Sequence, residues 1–420
     1  MLKVIIPWKM SFYDGINGYH PLLSSFVESC PEGVETIFPD VNFQFHSSRL
    51  NNICYSLMND AFIFGEGAFR GRIDHKAYMT VFLNSRDPVS QMCIDSLKGN
   101  ADIVFHHTAP LHSSTLPFIL HYESPMTLFF PFLSMGKTRN VSLRIQPIYH
   151  MVKAQLESDN CRAIFTHLKS SHETMLRCFD SPTIAAKAHY IPLGVDAPKA
   201  MHDRIEQKIR SIPQRKPLNI LFTNSAHGHR DGFNLRGGME VLLAFQRLRQ
   251  TVPDATLTIL SPQLPLESLQ GMDLRNVTWI KERIEEEALY ELLLAADLFA
   301  LPAAGLHSYS ALRALKFGAV LLCSDAPGYE EYITDGKTGI IIPGRREQVY
   351  SPDPQTGWMR DDYSTVHTPQ QPIADRLAAA FEWLAQFPEQ RQRIAAEAYV
   401  HVGERHAIGP WVDNILRIMS

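Results

Sequence analysis

The feature that most constrains this chain is the alternation of short apolar runs with amphipathic helical segments, which recurs in both halves. After residue 217 the order reads strand "LNILFT", helix "GMEVLLAFQRLRQ", strand "TLTILS", helix "EEEALYELLLAA", strand "DLFALP", helix "SALRALKFG" and strand "AVLLCSD". Such an order predicts parallel strands covered by helices on both faces. Leu289, Leu292, Leu293 and Ala296 recur at i, i+3, i+4 and i+7, so their helix lays one face on a sheet. The first half predicts strands near 2–7, 79–84, 102–106, 117–121, 162–166 and 188–192. Because 420 residues exceed what one hydrophobic core usually supports, two α/β domains are expected.

Between 194 and 217 the sequence turns polar and basic with prolines at both ends, which reads as a linker. The expected division is a first domain over 1–205, a linker over 206–216, a second domain over 217–395 and C-terminal helices over 396–420. From Gly344 to Pro372 runs a long irregular segment. Loops of that length in compact domains are usually functional or mobile.

Charge is near balance, with 40 Lys plus Arg against 44 Asp plus Glu, and no block of like charge follows a nucleic acid. The six cysteines are scattered without a C-x-x-C pair and read as reduced core thiols in a cytoplasmic protein. The N-terminus is too short in apolar residues for a signal peptide, and no apolar run reaches the roughly 18 residues of a membrane span.

Four stretches carry candidate chemistry. In "ILFTNSAHGHRDGFNLRGGMEVLLAF" a strand ends at Thr223, and Arg236, Gly237 and Gly238 open a helix. Glycines there let backbone N–H groups approach an anion, and the guanidinium of Arg236 offers a planar fork to phosphate oxygens. The alternative is a solvated loop whose Arg points to water. In "LPAAGLHSYSALRALKFGAVLLCSD" a strand-end loop leads to a helix opening among His307, Ser308, Tyr309 and Ser310, with Arg313 one turn inside. Arg313 either reaches an anion at the helix start or pairs with a surface carboxylate. In the first half, Gly15 and Gly18 stand between strand and helix, either for close backbone approach or as a tight turn. "ADIVFHHTAPLH" and "PFILHYESP" end strands with His106, His107, His121 and Glu123, where a carboxylate could accept a proton from a hydroxyl. No His or carboxylate group has metal-ligand spacing, so no metal is expected.

Taken together, "AHYIPLGVD", "LRGGMEVLLAF", "ADLFALP" and "SDAPGYEEYITDGKTGIIIP" resemble bacterial glycosyltransferases of the GT-B fold, family 4. The resemblance is strong from about 160 to 343. It implies two Rossmann-like, doubly wound domains facing across a cleft, with C-terminal helices returning to the first. A nucleotide sugar is held mainly by the second domain and a glycan, lipid-linked or other hydroxyl acceptor mainly by the first. No cofactor or metal is implied, since basic side chains and helix N-termini stabilise the departing diphosphate.

Residue by residue, Arg236 stands where the family has its phosphate-binding Lys, beside Gly237. Asn224 and Ser225 stand in the glycine and arginine positions after the strand, and Glu331 matches the Glu that follows the glycines. Gly15 and Gly18 match the first glycine-rich turn, with His107 assigned to the same diphosphate and acceptor side. Glu123 and His121 occupy the neighbourhood of the family's first-domain His and are the catalytic candidates. Gly305 and Arg313 replace the family's Glu-x7-Glu pair, leaving His307, Ser308, Tyr309 and Ser310 as substitute donor contacts.

The resemblance implies transfer of a sugar with retention of configuration, in bacterial polysaccharide or glycoconjugate synthesis, in the cytoplasm or peripherally at the inner face of the membrane. The departures leave room for inversion with a carboxylate as base, and for two other functions: an inactive GT-B subunit binding a glycan or protein partner, or a sugar-nucleotide epimerase or hydrolase.

Overall fold

The computed structural model describes residues 1–6, 21–38, 97–107, 116–129, 133, 136–224, 232–282 and 284–420. Its residues divide into two units: 1–192 with 352–360 and 412–420, and 193–351 with 361–411. Each is a parallel sheet with helices.

The first unit has strands β1 (Leu2–Ile5), β2 (Val34–Ile37), β3 (Ile103–His107), β4 (Phe118–His121), β5 (Cys161–Thr166) and β6 (Ala188–Tyr190), in the order β2-β1-β3-β4-β5-β6. All are parallel. Every residue of β3 and β4 is buried, as expected for central strands covered on both faces. Phe118, Leu120, Ile164, Met175 and Phe179 belong to the core on one side. Phe26 meets Phe105 edge-on at 5.2 Å on the helix Pro21–Glu28. Among the described strands the order reverses between β1 and β3, so their carboxyl ends flank a crevice.

The second unit has β7 (Asn219–Thr223), β8 (Thr256–Leu260), β9 (Val277–Ile280), β10 (Leu298–Leu301), β11 (Val320–Ser324) and β12 (Ile340–Ile342), in the order β12-β11-β10-β7-β8-β9. Read from β9, this is the 3-2-1-4-5-6 order of a doubly wound dinucleotide-binding sheet, with its reversal between β7 and β10. The helix Gly238–Thr251 packs Val241, Leu242, Phe245 and Leu248 into a core shared with Ile220, Phe222, Leu257, Ile259 and Leu298.

The α/β architecture expected from the sequence is present, and several of its details differ. Strands β2, β9 and β12 were not anticipated; each is short and only partly buried, β2 and β9 mix polar with apolar residues, and β12 is a run of only three isoleucines. The strand expected at 79–84 lies outside the described residues. The expected linker 206–216 instead includes most of the helix His202–Ser211, whose Ile205 and Ile209 are buried and whose opposite face is polar. Accordingly the division falls at 192/193 rather than after 205.

The segment 344–372 is not a single loop. It holds the helix Arg345–Val349 and the short paired strands Tyr350–Pro352 and Met359–Asp361. Its central residues 352–360 belong to the first unit, where Trp358 is buried in the core with Tyr149 and Phe179. The Arg177 Nε donates to the Thr356 carbonyl at 3.1 Å beside it. Of the three C-terminal helices, Gln371–Gln386, Pro388–Arg405 and Ile408–Met419, only residues 412–420 belong to the first unit. No helix among the described residues is long and apolar enough to cross a membrane.

Trp358→Ala removes a fully packed indole from the first unit, so it is expected to destabilise that unit by about 3–5 kcal/mol. Denaturant unfolding monitored by far-UV circular dichroism checks this. A loss below about 1 kcal/mol would mean that residues 352–360 lie on the first unit without contributing to its core.

Candidate functional site

At the reversal point of the second unit, the chain leaving β10 and the helix after β7 are in close contact. Gly237 adopts φ +79°, and a Cβ on it would lie 2.5 Å from the Pro302 carbonyl oxygen. A Cβ on Gly238 would lie 2.5 Å from the Phe233 ring. The two glycines of "RGG" are therefore required by the fold itself: Gly237 lets the start of the helix Gly238–Thr251 abut the strand-end loop, and Gly238 leaves room for the Phe233 ring. The Ala304 N–H donates to the Leu235 carbonyl at 2.7 Å and completes the contact.

The loop from Pro302 to Gly305 is held by its carbonyls. That of Pro302 accepts from Arg345 Nε at 3.2 Å, Ala303 from the Ser324 hydroxyl at 2.6 Å, Ala304 from the Tyr350 hydroxyl at 2.7 Å, and Gly305 from the Tyr329 hydroxyl at 3.4 Å. The Tyr329 oxygen also receives the His307 backbone N–H. Four successive acceptors are thus turned inward onto side chains. Arg345 is wholly buried and pairs with buried Glu240 at 2.5 Å, while Glu240 also accepts from the Gln370 N–H at 3.0 Å.

Arg236 is buried at this edge, with Nη1 donating to the Thr223 carbonyl at the end of β7 (3.2 Å). Burial lowers its pKa to about 10, with the nearby Tyr329 acting in the opposite direction. Burial thus disfavours the cationic form at this edge, and a bound anion would act in the opposite direction. His307 caps the helix Ser308–Lys316, and Ser308 is buried in its first turn beside half-buried Tyr309 and Ser310. Arg236, Gly237 and residues 307–310 are therefore gathered at the carboxyl edges of β7 and β10.

Other candidates have different surroundings. Asn224 is buried and donates from Nδ2 to the Ser261 hydroxyl at 3.1 Å, tying the ends of β7 and β8. Arg313 donates to Glu286 at 2.8 Å and lies 5.1 and 5.3 Å from the ring centroids of Tyr290 and Tyr309. Its observed partner is a carboxylate of the same unit, the surface pairing foreseen as the alternative to an anion site. Glu331 is half-buried at the end of the turn Tyr329–Glu331. Ser225, Gly15 and Gly18 lie outside the described residues.

In the first unit, His107 and His121 stand opposite each other at the ends of β3 and β4, with Nδ1 atoms 2.7 Å apart. His167, one residue beyond β5, adds a third ring, its Nδ1 2.8 Å from His121 Nε2. Glu123 follows two residues after His121, and desolvation pushes its carboxyl up to about 7.

Sequence reasoning missed His167, although "CRAIFTH" ends a strand with His just as "IVFHH" and "FILH" do. It also missed Glu240, Tyr329, Arg345 and Tyr350, whose roles arise only when 240, 302–305 and 329–350 are brought together.

Residues 227–351 match the family described as "Glycosyl transferases group 1". No curated protein matches the chain. Among solved structures, sucrose-phosphate synthase from Thermosynechococcus elongatus is 13% identical with TM-score 0.60, covering 100% of this chain and 98% of its own. An E. coli trehalose-6-phosphate protein bound with UDP-2-fluoro glucose is 12% identical with TM-score 0.60, covering 100% and 99%. WaaG, a glycosyltransferase involved in lipopolysaccharide biosynthesis, is 14% identical with TM-score 0.55, covering 100% of both chains. The chain has the GT-B fold, and its similarity is to group 1 glycosyltransferases, as the sequence motifs implied.

Gly237→Ala places a methyl group against the Pro302 backbone in a left-handed conformation, so a loss of about 2–4 kcal/mol is expected. Equilibrium unfolding checks it; stability within about 0.5 kcal/mol of wild type would show that the loop and helix separate readily.

For Glu123 the sign follows from a native pKa near 7 against an ordinary value of 4.5. The native state keeps a proton that the unfolded state has lost, so this contribution is full below about pH 4.5 and disappears as pH rises through about 7. Glu123→Gln is expected to remove that decline, read as the wild type minus mutant difference in unfolding free energy across pH 4 to 8. A difference that does not vary with pH would place the carboxyl in ordinary solvent.

Proposed function

We propose that the protein transfers a glycosyl unit from a nucleotide-sugar donor to an acceptor hydroxyl. The observation that carries this reading is the buried Arg236 at the reversal point of the second unit, beside a helix whose glycine start is fixed against the strand-end loop. In the proposed reaction the sugar's anomeric carbon breaks its bond to the diphosphate and bonds to the acceptor oxygen. Arg236 and the N-terminus of the helix Gly238–Thr251 stabilise the negative charge on the leaving diphosphate. The His307 side chain and the backbone and hydroxyl groups from Ser308 to Ser310 bind the pyrophosphate or the sugar. The first unit presents the acceptor hydroxyl near His121 and Glu123.

The finer features of the reading are these. The reaction proceeds without a metal and with retention of configuration, and serves bacterial polysaccharide or glycoconjugate synthesis in the cytoplasm or at the inner membrane face. The acceptor is a glycan, a lipid-linked saccharide or another hydroxyl compound. Since Arg313 is engaged with Glu286, the ribose hydroxyls are bound by groups other than a carboxylate at that position.

That same substitution motivates the second reading, in which Gly305 and Arg313 mark a subunit that binds a glycan or protein partner without turnover. The two are separated by incubating the protein with UDP-, GDP-, CMP- and dTDP-sugars and measuring nucleotide release, alongside thermal shifts with each free nucleotide. Release that depends on an added acceptor supports transfer, and release without one supports an epimerase or hydrolase. No shift with any nucleotide would overturn the transferase reading.

Arg236→Ala is expected to weaken binding of the cognate nucleoside diphosphate by about 1.5–3 kcal/mol, the range for a hydrogen bond to a charged group. Calorimetry on a folded mutant checks this, and unchanged affinity would remove Arg236 from the phosphate site.

A further inference from the structure

The first unit carries a basic face built from two stretches far apart in the chain. Residues 136–146, "GKTRNVSLRIQ", hold three cations and no acidic residue. Lys137 and Arg139 are exposed, Arg144 is half-buried, and Ile145 beside it is 77% exposed. Arg144 donates from Nε to the Cys178 carbonyl at 3.2 Å and from Nη2 to the Arg177 carbonyl at 2.6 Å, at the end of the helix Lys169–Phe179. Exposed Arg177 in turn holds the Thr356 carbonyl, and a Cβ on Gly357 would lie 3.1 Å from its Nη2. Arg360 then donates from Nη1 to the Arg139 carbonyl at 3.4 Å, so the contacts return to the segment where they began. All of these residues belong to the first unit.

Carbonyl partners fix a guanidinium in place without cancelling its charge. Among the described residues no carboxylate pairs with Lys137, Arg144 or Arg177, while Arg360 pairs with buried Asp353. Glu173 and Asp180, exposed on either side of Arg177 in the chain, form no ion pair with these groups. The cations therefore outnumber the carboxylates, and several of them keep N–H donors for a partner outside the chain.

The chemistry of the face selects among anionic partners. A guanidinium fork suits phosphate oxygens, and an exposed aliphatic side chain beside it suits the apolar boundary beneath lipid headgroups. Single-stranded nucleic acid would instead need exposed rings on which bases stack, whereas Tyr149 and Trp358, the aromatic side chains packed under this face, are buried.

We propose that this face of the first unit docks on an anionic lipid surface, with Lys137, Arg139, Arg144, Arg177 and Arg360 toward the headgroup phosphates and Ile145 entering the acyl boundary. The arginines already held by carbonyls lose little side-chain freedom on binding, which favours them over mobile cations for this contact. The proposal does not rest on the transferase reading, since it requires neither a nucleotide nor turnover.

The test is sedimentation of the full chain with vesicles of phosphatidylcholine alone and of an equimolar mixture with phosphatidylglycerol. Binding to the mixed vesicles only, weakened by added salt, is expected. Each cation near an anionic surface raises the partition about fivefold, so Lys137→Glu, which reverses one exposed charge, is expected to weaken binding roughly 25-fold. Lys281→Glu, the same change on an exposed side chain of the second unit, is expected to leave binding within about twofold of wild type. Ile145→Ser is expected to weaken binding at unchanged charge. All three positions are exposed, so the variants keep the fold. The proposal is overturned by no binding to mixed vesicles at low salt, by equal binding to both vesicle types, or by equal losses in Lys137→Glu and Lys281→Glu. Wild-type binding by Ile145→Ser overturns it as well, and so does retention on heparin without any binding to vesicles. None of these outcomes bears on nucleotide release, which judges the transferase reading separately.

Discussion

The second unit's candidate site depends on the buried ion pair between Arg345 and Glu240. Glu240 is in the first turn of the helix Gly238–Thr251, and Arg345 opens the helix after β12 while also holding the Pro302 carbonyl. One guanidinium thus joins the helix start to the strand-end loop. A pair this deeply buried contributes little net stability over an apolar substitute, but removing one partner leaves a stranded charge. The geometry it fixes is the close approach at Gly237, and around that approach Tyr329, Tyr350 and Ser324 take the loop carbonyls. The outcome is an edge whose acceptors are occupied internally and whose buried cation, Arg236, is set among helix starts.

The first unit solves a different problem with the same topology. Its central strands end in histidines at matching register, so parallel pairing by itself places His107 against His121, and the residue parity of β5 brings His167 into line. All three rings are buried, and neighbouring imidazoles meet nitrogen to nitrogen. Glu123, two residues beyond, is desolvated enough to hold a proton near neutral pH.

Much of the fold was legible because buried parallel strands read as continuous apolar runs, and β3, β4, β7, β10 and β11 are such runs. The half-buried β2 and β9 were not, because only some of their positions are apolar, and β12 offers only three isoleucines. The helix His202–Ser211 was taken for a linker since its polar face outweighs Ile205 and Ile209 in composition. Trp358 gives no local sign that it is packed in a core formed by residues some two hundred positions earlier. At the site, the glycine-opened helix and Arg236 were visible from spacing. The partner of Arg313 was not, because Glu286 is on a neighbouring helix 27 residues away, and neither were the side chains that hold the 302–305 carbonyls.

The central claim is that the reversal point of the second sheet binds the diphosphate of a nucleotide donor. Its most direct measurement is a crystal structure of the protein soaked with a mixture of nucleoside diphosphates. The account predicts a diphosphate within hydrogen-bond distance of Arg236 and of the helix starts at Gly238 and Ser308, with a single base selected from the mixture. A nucleotide bound elsewhere, or an empty edge at saturating concentration, would contradict it.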